Sequence, residues 1–432
     1  MRLAAVLSFL IALTGCERPL VDPVTSPVEV LGLDLDEVQV EQTLPLRLRV
    51  DGATALTVNG TEALAEGVPG VFTLDTRLSL GLNRLGVRAT DSTGVVAQDT
   101  IVAVYLPLRS DLVATSALPS PRTEAAVATD GSRVLVTGGV GPSGAALASM
   151  AVLASAGARF SGQDVPLLTA RAGHTASALP DGGVLLIGGA SVETPARASD
   201  FVQTVEWIPP GATQSRAVAL PDGVALRAGH TARVLRTNGT TTVTLYGGLV
   251  PSGTGVLASG TIDVFEWREA AGELARLSPD GGAGAFDAAT GHVQIPIVDR
   301  AGTTTRAADV VFAGAFAARF DFTAPGTNYP YSLDAQMATP LFVPRTDAAG
   351  VPFGLPGLAL IAGGRSAAGE VLASAEVYAA EVDRVFRLPE GVRLVVARSS
   401  AGATLLPDGR ILIVGGRTAA GAPSSAIDVF SL

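Results

Sequence analysis

Three histidines have the residue type and the spacing that a metal site needs. His174 and His230 stand in identical Ala-Gly-His sequences, and His292 also follows a glycine, Gly291. Because equivalent positions of repeated units lie at one level of an assembly, three imidazoles could converge on one metal ion. Repetition alone also explains the spacing, so we expect neither a metal ligand nor a cofactor.

Four arginines recur in the same way, at Arg122, Arg171, Arg227 and Arg398. They could line an anion site, because a guanidinium binds carboxylates well, or they could link neighbouring repeats. We expect the second role. The two tryptophans, Trp207 and Trp267, fall in or beside a recurring strand, where core packing is expected rather than a sugar-binding surface.

The composition excludes several kinds of catalysis. All 30 basic residues are arginine, so Schiff-base lysines, Ser-Lys dyads and phosphate-loop lysines are absent. No Gly-x-Ser-x-Gly elbow precedes a helix in the strand-rich sequence. The net charge of −10 argues against nucleic acid as a partner. We therefore expect no enzyme, although paired carboxylates for glycoside cleavage stay open.

The only cysteine, Cys16, ends the sequence Leu-Thr-Gly-Cys and follows Arg2 and an apolar run over residues 3–13. The run is too short to span a bilayer and has the layout of a secretory signal. Leu-Thr-Gly-Cys resembles the bacterial lipobox, which implies cleavage before Cys16 and lipid on its sulfur; an ordinary signal peptide is the alternative. We predict a signal peptide over 1–15, a tether over 16–23 and a lipid anchor at the outer membrane or cell surface of a Gram-negative bacterium.

Self-similarity organises residues 107–432. Arg-Ala-Gly-His at 171–174 leads through Pro-Asp-Gly to the apolar run Val-Leu-Leu-Ile at 184–187 and then to Gly188-Gly189, and a similar series ends at Gly415-Gly416. The turn reverses the chain, the apolar run predicts a buried strand, and the glycine pair predicts a close approach of backbones. A third strand follows with an acid-plus-apolar signature, as in Val-Glu-Trp at 205–207 and Ile-Asp-Val-Phe at 427–430.

These motifs resemble the Kelch family, including the galactose-oxidase-type propeller, whose fold is a ring of four-stranded blades. The first glycines of the copies are Gly138, Gly188, Gly247, Gly314, Gly363 and Gly415. The resemblance implies six blades, or seven if an insertion hides one, because the fourth copy is degenerate and has Ala315 in place of the second glycine. The oxidase chemistry of the family needs a cysteine cross-linked to tyrosine, and no cysteine remains after Cys16.

The ends of the repeat region predict how such a ring closes. The last copy stops after its third strand, and a spare strand-like stretch at 111–115 precedes the first copy. We expect this stretch to complete the last sheet, because pairing removes an exposed edge.

Alternating apolar residues before the repeats, such as Leu44, Leu46 and Leu48, predict half-buried strands over 24–106. The segments Gly-Val-Phe-Thr at 70–73, Leu-Ser-Leu-Gly-Leu-Asn at 78–83 and Ala-Thr-Asp-Ser-Thr-Gly at 89–94 resemble bacterial immunoglobulin-like domains. The predicted fold is therefore all-β, with an immunoglobulin-like β-sandwich over 24–106 followed by a six-bladed or seven-bladed Kelch-type β-propeller over 107–432.

The function expected from this organisation is that of a lipid-anchored envelope protein whose propeller binds another envelope or extracellular protein without catalysis. Insertions at 211–226 and 274–288, and an irregular proline-rich stretch at 322–357, are the predicted contact loops. The alternatives are a carbohydrate-active enzyme or hydrolase that uses the propeller funnel, and a structural spacer. Two or more carboxylates at the funnel mouth would favour an enzyme.

Overall fold

The computed structural model describes residues 27–156, 159–221, 224, 227–237, 239–277, 291–301, 304–323 and 332–432. The predicted signal peptide, the tether and Cys16 lie outside these residues. Contacts divide the chain into two compact units. The first holds 27–34, Thr43–Arg77 and Arg84–Val102; the second holds Leu35–Gln42, Leu78–Asn83 and Ala103–Leu432. Within the described residues, no helix has the length and apolar character required to cross a membrane.

Eight strands belong to the N-terminal part of the chain. They are β1 (Glu29–Val30), β2 (Thr43–Arg49), β3 (Ala55–Val58), β4 (Thr61–Glu62), β5 (Leu64–Ala65), β6 (Val71–Arg77), β7 (Gly81–Asp91) and β8 (Gly94–Tyr105). They form two antiparallel sheets, in the orders β1-β2-β6-β5 and β4-β3-β7-β8. Leu44, Leu46 and Leu48 of β2 are buried and their neighbours are exposed, which is the predicted half-buried pattern.

The repeats supply the remaining strands. The first contains β9 (Arg109–Arg122), β10 (Ala126–Thr129), β11 (Arg133–Thr137), β12 (Ser149–Ala156) and β13 (Arg159–Pro166). The second contains β14 (Thr175–Ala178), β15 (Val184–Ile187), β16 (Val205–Ile208) and β17 (Arg216–Val218). The third contains β18 (Thr231–Thr237), β19 (Thr240–Tyr246), β20 (Leu249–Ser252), β21 (Gly255–Ala258), β22 (Ile262–Arg268) and β23 (Glu273–Arg276).

The last three repeats follow the same plan. The fourth contains β24 (Val293–Ala301), β25 (Thr304–Ala313), β26 (Phe316–Thr323) and β27 (Ser332–Met337). The fifth contains β28 (Arg345–Thr346), β29 (Ala349–Pro352), β30 (Leu358–Ala362), β31 (Arg365–Ser366), β32 (Ala375–Ala379) and β33 (Arg384–Arg387). The sixth contains β34 (Arg398–Ser399), β35 (Gly402–Leu405), β36 (Ile411–Val414), β37 (Arg417–Thr418) and β38 (Ser424–Ser431).

Six four-stranded antiparallel sheets lie in the described part of the repeat region. Five are formed within one repeat, by strands in sequence order: β10-β11-β12-β13, β14-β15-β16-β17, β18-β19-β22-β23, β24-β25-β26-β27 and β29-β30-β32-β33. The sixth has the order β35-β36-β38-β9, with Asp428 opposite Leu112 and Phe430 opposite Ser110. The predicted pairing of the stretch 111–115 with the last strand is therefore confirmed.

The first strands of the six sheets contact one another in sequence and return to the start. Strand β10 contacts β14, and the series continues through β18, β24, β29 and β35, which contacts β10 again. The second strands lie one step farther out and are buried on both faces; all four side chains of β15 and of β36 are buried. Apolar side chains of adjacent sheets share clusters, so the core of this unit lies between the sheets.

The first glycine of each pair lies close to the backbone of the next repeat, and the second lies close to the start of its own repeat. A Cβ atom at Gly188 would stand 2.3 Å from the carbonyl oxygen of Arg227, and one at Gly189 would stand 2.8 Å from that of Ala172. Both glycines also have positive φ angles, of 66° and 96°. No side chain fits either position without displacing backbone, so the predicted close approach is confirmed.

Two interpretations of the sequence need correction. The sequence predicts an irregular stretch at 322–357, but its described part contains β27, β28 and β29, because the described prolines fall between or at the ends of strands. The other two predicted contact loops also contain strand residues, since β17 lies within 211–226 and β23 extends into 274–288. Residues 222, 223, 225, 226 and 278–288 of these loops lie outside the described residues. In the fourth repeat Gly314, rather than Ala315, donates the backbone bond that the second glycine makes elsewhere, to the carbonyl of Arg345 at 3.0 Å.

Candidate functional site

The recurring arginines are buried inside their own repeats. Arg171 has no exposed surface, and its guanidinium donates to the carbonyl oxygens of Gly188 and Thr204 at 2.9 and 3.1 Å. It also pairs with the Glu206 carboxylate at 2.7 Å. Glu206 accepts further bonds from the backbone N–H groups of Leu168 and Thr169. The pair therefore ties the start of the repeat to its second and third strands, and the guanidinium is not available to an external anion.

The same arrangement recurs around the sheets, and its acidic partners are the residues of the third-strand signature. The pairs are Arg227–Asp263, Arg345–Glu376 and Arg398–Asp428. In the first repeat the acid comes from β13 instead, as Arg122–Asp164. The sequence therefore marked both partners of three pairs, those of Arg171, Arg227 and Arg398, without showing that they bind each other, and it marked neither Arg345 nor Asp164. The link to the neighbouring repeat is made by the arginine backbone, for example by the N–H of Gly139 donating to the carbonyl of Arg171 at 2.8 Å.

The three histidines bridge adjacent sheets. Nε2 of His174 is hydrogen-bonded to Thr137 Oγ1 at 2.8 Å, and Nε2 of His230 to Thr175 Oγ1 at 3.3 Å. His292 makes the corresponding bond to Thr231 at 3.0 Å. Burial lowers the pKa of His230 to about 3, with the charge of Arg227 as a second cause, so this imidazole is neutral. Among the described residues no three His, Cys, Asp or Glu side chains have a geometry that could hold a metal ion.

The two tryptophans pack against each other between the second and third sheets. Their ring centroids are 5.7 Å apart, with the ring planes inclined by 57°. Trp267 is buried and Trp207 is partly buried against the same apolar cluster, which includes Leu185 and Val243. This is the core position expected from the sequence.

One backbone position per repeat forms a circle of left-handed residues. These residues precede the first strands and are Glu124, Gly173, Gly229, Gly291, Asp347 and Ser400, with φ angles between 51° and 69°. Five backbone hydrogen bonds join neighbours in this circle: Gly173 to Glu124 at 3.0 Å, Gly229 to Gly173 at 2.7 Å, Asp347 to Gly291 at 2.7 Å, Ser400 to Asp347 at 2.8 Å and Glu124 to Ser400 at 3.1 Å. The circle therefore joins the last repeat to the first.

A cavity of about 790 Å³ lies between the first strands of all six sheets. Small side chains such as Ala126, Ala176 and Ala232 line much of its wall. Glu124, Asp347 and Ser400 line the end at which the circle of left-handed residues lies. This end is called the cavity mouth below.

Two of the glycines in the circle leave room for the two carboxylates. A Cβ atom at Gly291 would stand 2.5 Å from Oδ1 of Asp347, and one at Gly173 would stand 3.9 Å from Oε2 of Glu124. Each carboxylate therefore extends over the glycine of an adjacent repeat. Gly229 has open space at the same place. The cavity mouth is thus polar and acidic in the sector formed by the fifth, sixth and first repeats.

The surroundings of the two carboxylates favour their protonated forms. Burial raises the pKa of Glu124 to about 7, and the negative charges of Glu193 and Asp347 add to the effect, whereas Arg417 opposes it. Burial also raises the pKa of Asp347, against the charge of Arg365. With its pKa near 7, Glu124 gains or loses a proton close to neutral pH, and the acidic sector is a place where a cationic or hydrogen-donating group would be stabilised.

Sequence reasoning missed this site. Glu124, Asp347 and Ser400 each stand two residues after a repeat arginine, at a position that contains glycine in the other three repeats. The signal in the sequence was therefore a polar side chain at a repeat position where glycine is sufficient in the other repeats. Its left-handed backbone and its place beside a cavity follow only from the three-dimensional structure.

Comparisons with known proteins concern the fold alone. No protein-family model and no curated protein matches the chain. Among the solved structures, that of YjhT matches 72% of this chain and 95% of its own chain, with 13% sequence identity and a TM-score of 0.50. YjhT is a known Kelch-type β-propeller. The chain is therefore an all-β protein of many antiparallel sheets whose fold is similar to that of a β-propeller.

Proposed function

We propose that the six sheets are the blades of a six-bladed Kelch-type β-propeller closed by β9, preceded by an immunoglobulin-like sandwich. The cyclic contacts of the first strands support this ring, and so do the bonds between the first and sixth repeats. The whole is a lipid-anchored cell-envelope protein, held through Cys16 at the outer membrane or cell surface of a Gram-negative bacterium. Its propeller is a non-catalytic module that binds another envelope or extracellular protein.

The observation that carries the binding role is the trio Glu124, Asp347 and Ser400 at left-handed positions. A side chain in this conformation costs about 1 kcal/mol relative to glycine. Three of the six repeats avoid that cost with glycine, so the backbone does not require a side chain here. Backbone strain of this kind clusters at functional sites, where the displayed side chain has a use. The use proposed here is contact with a protein that presents a basic or hydrogen-donating side chain to the mouth.

A capture experiment tests the binding role. The full chain with Cys16→Ser would be used as bait against detergent-solubilised envelope, beside the same chain with Glu124→Gln, Asp347→Asn and Ser400→Gly. We expect one protein to be retained at a constant ratio by the first bait and to be lost, by tenfold or more, with the triple variant.

The matched control is Glu62→Gln, which removes an exposed carboxylate on β4. It is expected to leave capture unchanged. Equal capture by the triple variant would place the binding surface away from the mouth, and capture of nothing across a range of salt would remove the support for a binding module.

The two carboxylates also favour a second candidate, a hydrolase that uses the cavity. With a pKa of about 7, Glu124 keeps a proton for a leaving group at neutral pH while a second carboxylate is close by. Turnover of aryl glycosides or aryl esters by the full chain, abolished by Glu124→Gln and retained by Glu62→Gln, would establish it. Hydrolysis that Glu124→Gln leaves unchanged would contradict it.

A further inference from the structure

The connection between β15 and β16 forms a compact loop, Ser191–Asp200, beside the cavity mouth. Its ends meet, because the N–H of Ser191 donates to the carbonyl of Asp200 at 2.8 Å. The Asp200 carboxylate accepts the N–H groups of Ala196 and Arg197 at 2.9 and 3.1 Å, and a 3₁₀ turn at Ala198–Asp200 ends the loop. A loop whose ends meet and whose interior is hydrogen-bonded in this way is compact. It is called the strap below.

The strap is attached to two other repeats. Val192 forms an antiparallel bridge with Ala145 of the first repeat. Glu193 forms an ion pair with Arg417 of the sixth repeat. Since the first repeat lies between the second and the sixth, the strap crosses the sector that contains Glu124. Glu193 and Pro195 line the cavity, so this crossing lies over the cavity mouth.

The attachment to the sixth repeat is an ion pair between two partly exposed side chains. The side chains of Glu193 and Arg417 keep 36% and 19% of their surface exposed. Ion pairs with this exposure contribute little to stability, because water solvates both charges after separation. Arg417 retains a second partner when the pair breaks, since its Nη1 donates to the carbonyl of Gly421 at 2.6 Å.

We propose that the strap closes the cavity mouth and that separation of Glu193 from Arg417 opens it. The inference rests on the proposed function only in that it controls access to the mouth where the partner side chain would bind. Closure keeps the mouth covered while no partner is present. A partner that supplies a cation for Glu193, or an anion for Arg417, competes with the pair and opens the strap.

The rate at which a neutral thiol reagent reaches the cavity tests the proposal. The chain has one cysteine, so Cys16→Ser combined with Ala126→Cys gives a single reporter near the mouth. Ala178→Cys, at the other end of the β14 wall, gives a matched reporter far from it. Iodoacetamide carries no charge, so the charges of the mouth do not attract or repel it. Because it reacts with the thiolate, the labelling rate of each variant is measured across pH and divided by the thiolate fraction, so that the rate reports access.

We expect Glu193→Gln to raise the labelling rate at the near reporter by about two- to fivefold, the factor that corresponds to one partly exposed ion pair. Arg417→Gln should raise it equally, and the double variant by no more than either single variant, because both remove one interaction. Labelling at the far reporter should not change. Arg410→Gln, which breaks the surface pair with Asp408, is the control and should have no effect at either reporter.

Equal labelling rates at the near reporter with and without Glu193→Gln would overturn the proposal that the strap closes the mouth. A rise at both reporters would also overturn it, because it would indicate general loosening. This test does not depend on the capture experiment. If the strap proposal fails, the proposed binding site is unaffected, and if no partner is captured, the expected difference in labelling rate is unaffected.

Discussion

The backbone N–H of Gly416 donates a hydrogen bond to the carbonyl oxygen of Arg122 at 2.9 Å, which joins the sixth repeat to the first. The same bond joins Gly139 to Arg171 and Gly364 to Arg398. The two ends of the repeat region therefore meet as successive repeats do. They are joined a second time where β9 pairs with β38.

Deletion of residues 107–118 tests how much the second junction contributes. The deletion leaves the outer side of β38 without its main partner and removes Leu118, which is buried in the cluster shared by the first and sixth sheets. We expect the melting temperature to fall by about 10 °C, because several kcal/mol are lost from a region of this size. Calorimetry on the full chain and on the deletion variant is the measurement; an unchanged melting temperature would contradict closure by β9.

Arg171 and Glu206 allow a test of the buried pairs. Arg171→Leu leaves the Glu206 carboxylate buried without its cation, which should cost about 3–5 kcal/mol. The control is Arg268→Leu on β22, whose pairs with Glu266 and Glu273 are exposed and should contribute no more than about 1 kcal/mol. Thermal and denaturant unfolding measure both. Equal losses would show that burial does not set the strength of these pairs.

Much of the fold could be predicted because its strongest constraints are local. The apolar runs before Gly188 and Gly415 are the second strands, since a four-residue run that is apolar on both faces suits only a strand covered on both sides. The stretch 322–357 misled because its strands are short and lack the double-glycine signature. Gly314 donates the hydrogen bond that the second glycine donates in other repeats because a tight turn directly follows it. The sequence alone did not reveal this turn.

The site was less predictable because its chemistry depends on partners that are distant in sequence. Arg171 and Glu206 were both noticed, but their pairing requires the fold. Glu124 and Ser400 become neighbours only when the repeats close. Nothing local distinguishes Asp347 from a turn-forming aspartate, since aspartate tolerates the left-handed region. Its role becomes clear only in the structure, where the Asp347 carboxylate lies over Gly291 of another repeat.

Alanine substitutions at Gly291 and Gly229 distinguish the cost of backbone strain from the cost of filling the space that the Asp347 carboxylate occupies. Both have left-handed φ angles, of 69° and 64°, but only Gly291 has Asp347 Oδ1 within 2.5 Å of a Cβ position. We expect Gly229→Ala to cost about 1 kcal/mol. Gly291→Ala should cost more and should also displace Asp347, which reduces capture of the proposed partner. Melting temperatures and capture measure the two effects; equal losses for both variants would show that the carboxylate moves aside freely.

The pH dependence of stability reports on Glu124. Its pKa is raised from 4.5 to about 7 in the folded protein, so the folded state holds a proton that the unfolded state releases between these values. Stability from this source is complete below pH 4.5 and is lost as the pH rises through 7. Glu124→Gln keeps the shape and removes the titration. The variant should match the wild type near pH 4 and melt about 3 °C higher at about pH 8.

Because the buried histidines also make stability depend on pH, the effect of Glu124 is measured as a difference between the wild type and the Glu124→Gln variant. Burial lowers the pKa of His174 and of His230, so the folded protein loses stability from this source as the pH falls below 6.5. That trend is opposite to the one from Glu124, and the histidine contribution is present in the wild type and in the variant alike. The difference in melting temperature between the two proteins, measured from about pH 4 to about pH 8.5, therefore isolates the contribution of Glu124 to stability. Glu62→Gln is the control for removal of an exposed charge. A difference that does not vary with pH would show that folding does not shift the pKa of Glu124, and its carboxyl would then be ionised at neutral pH.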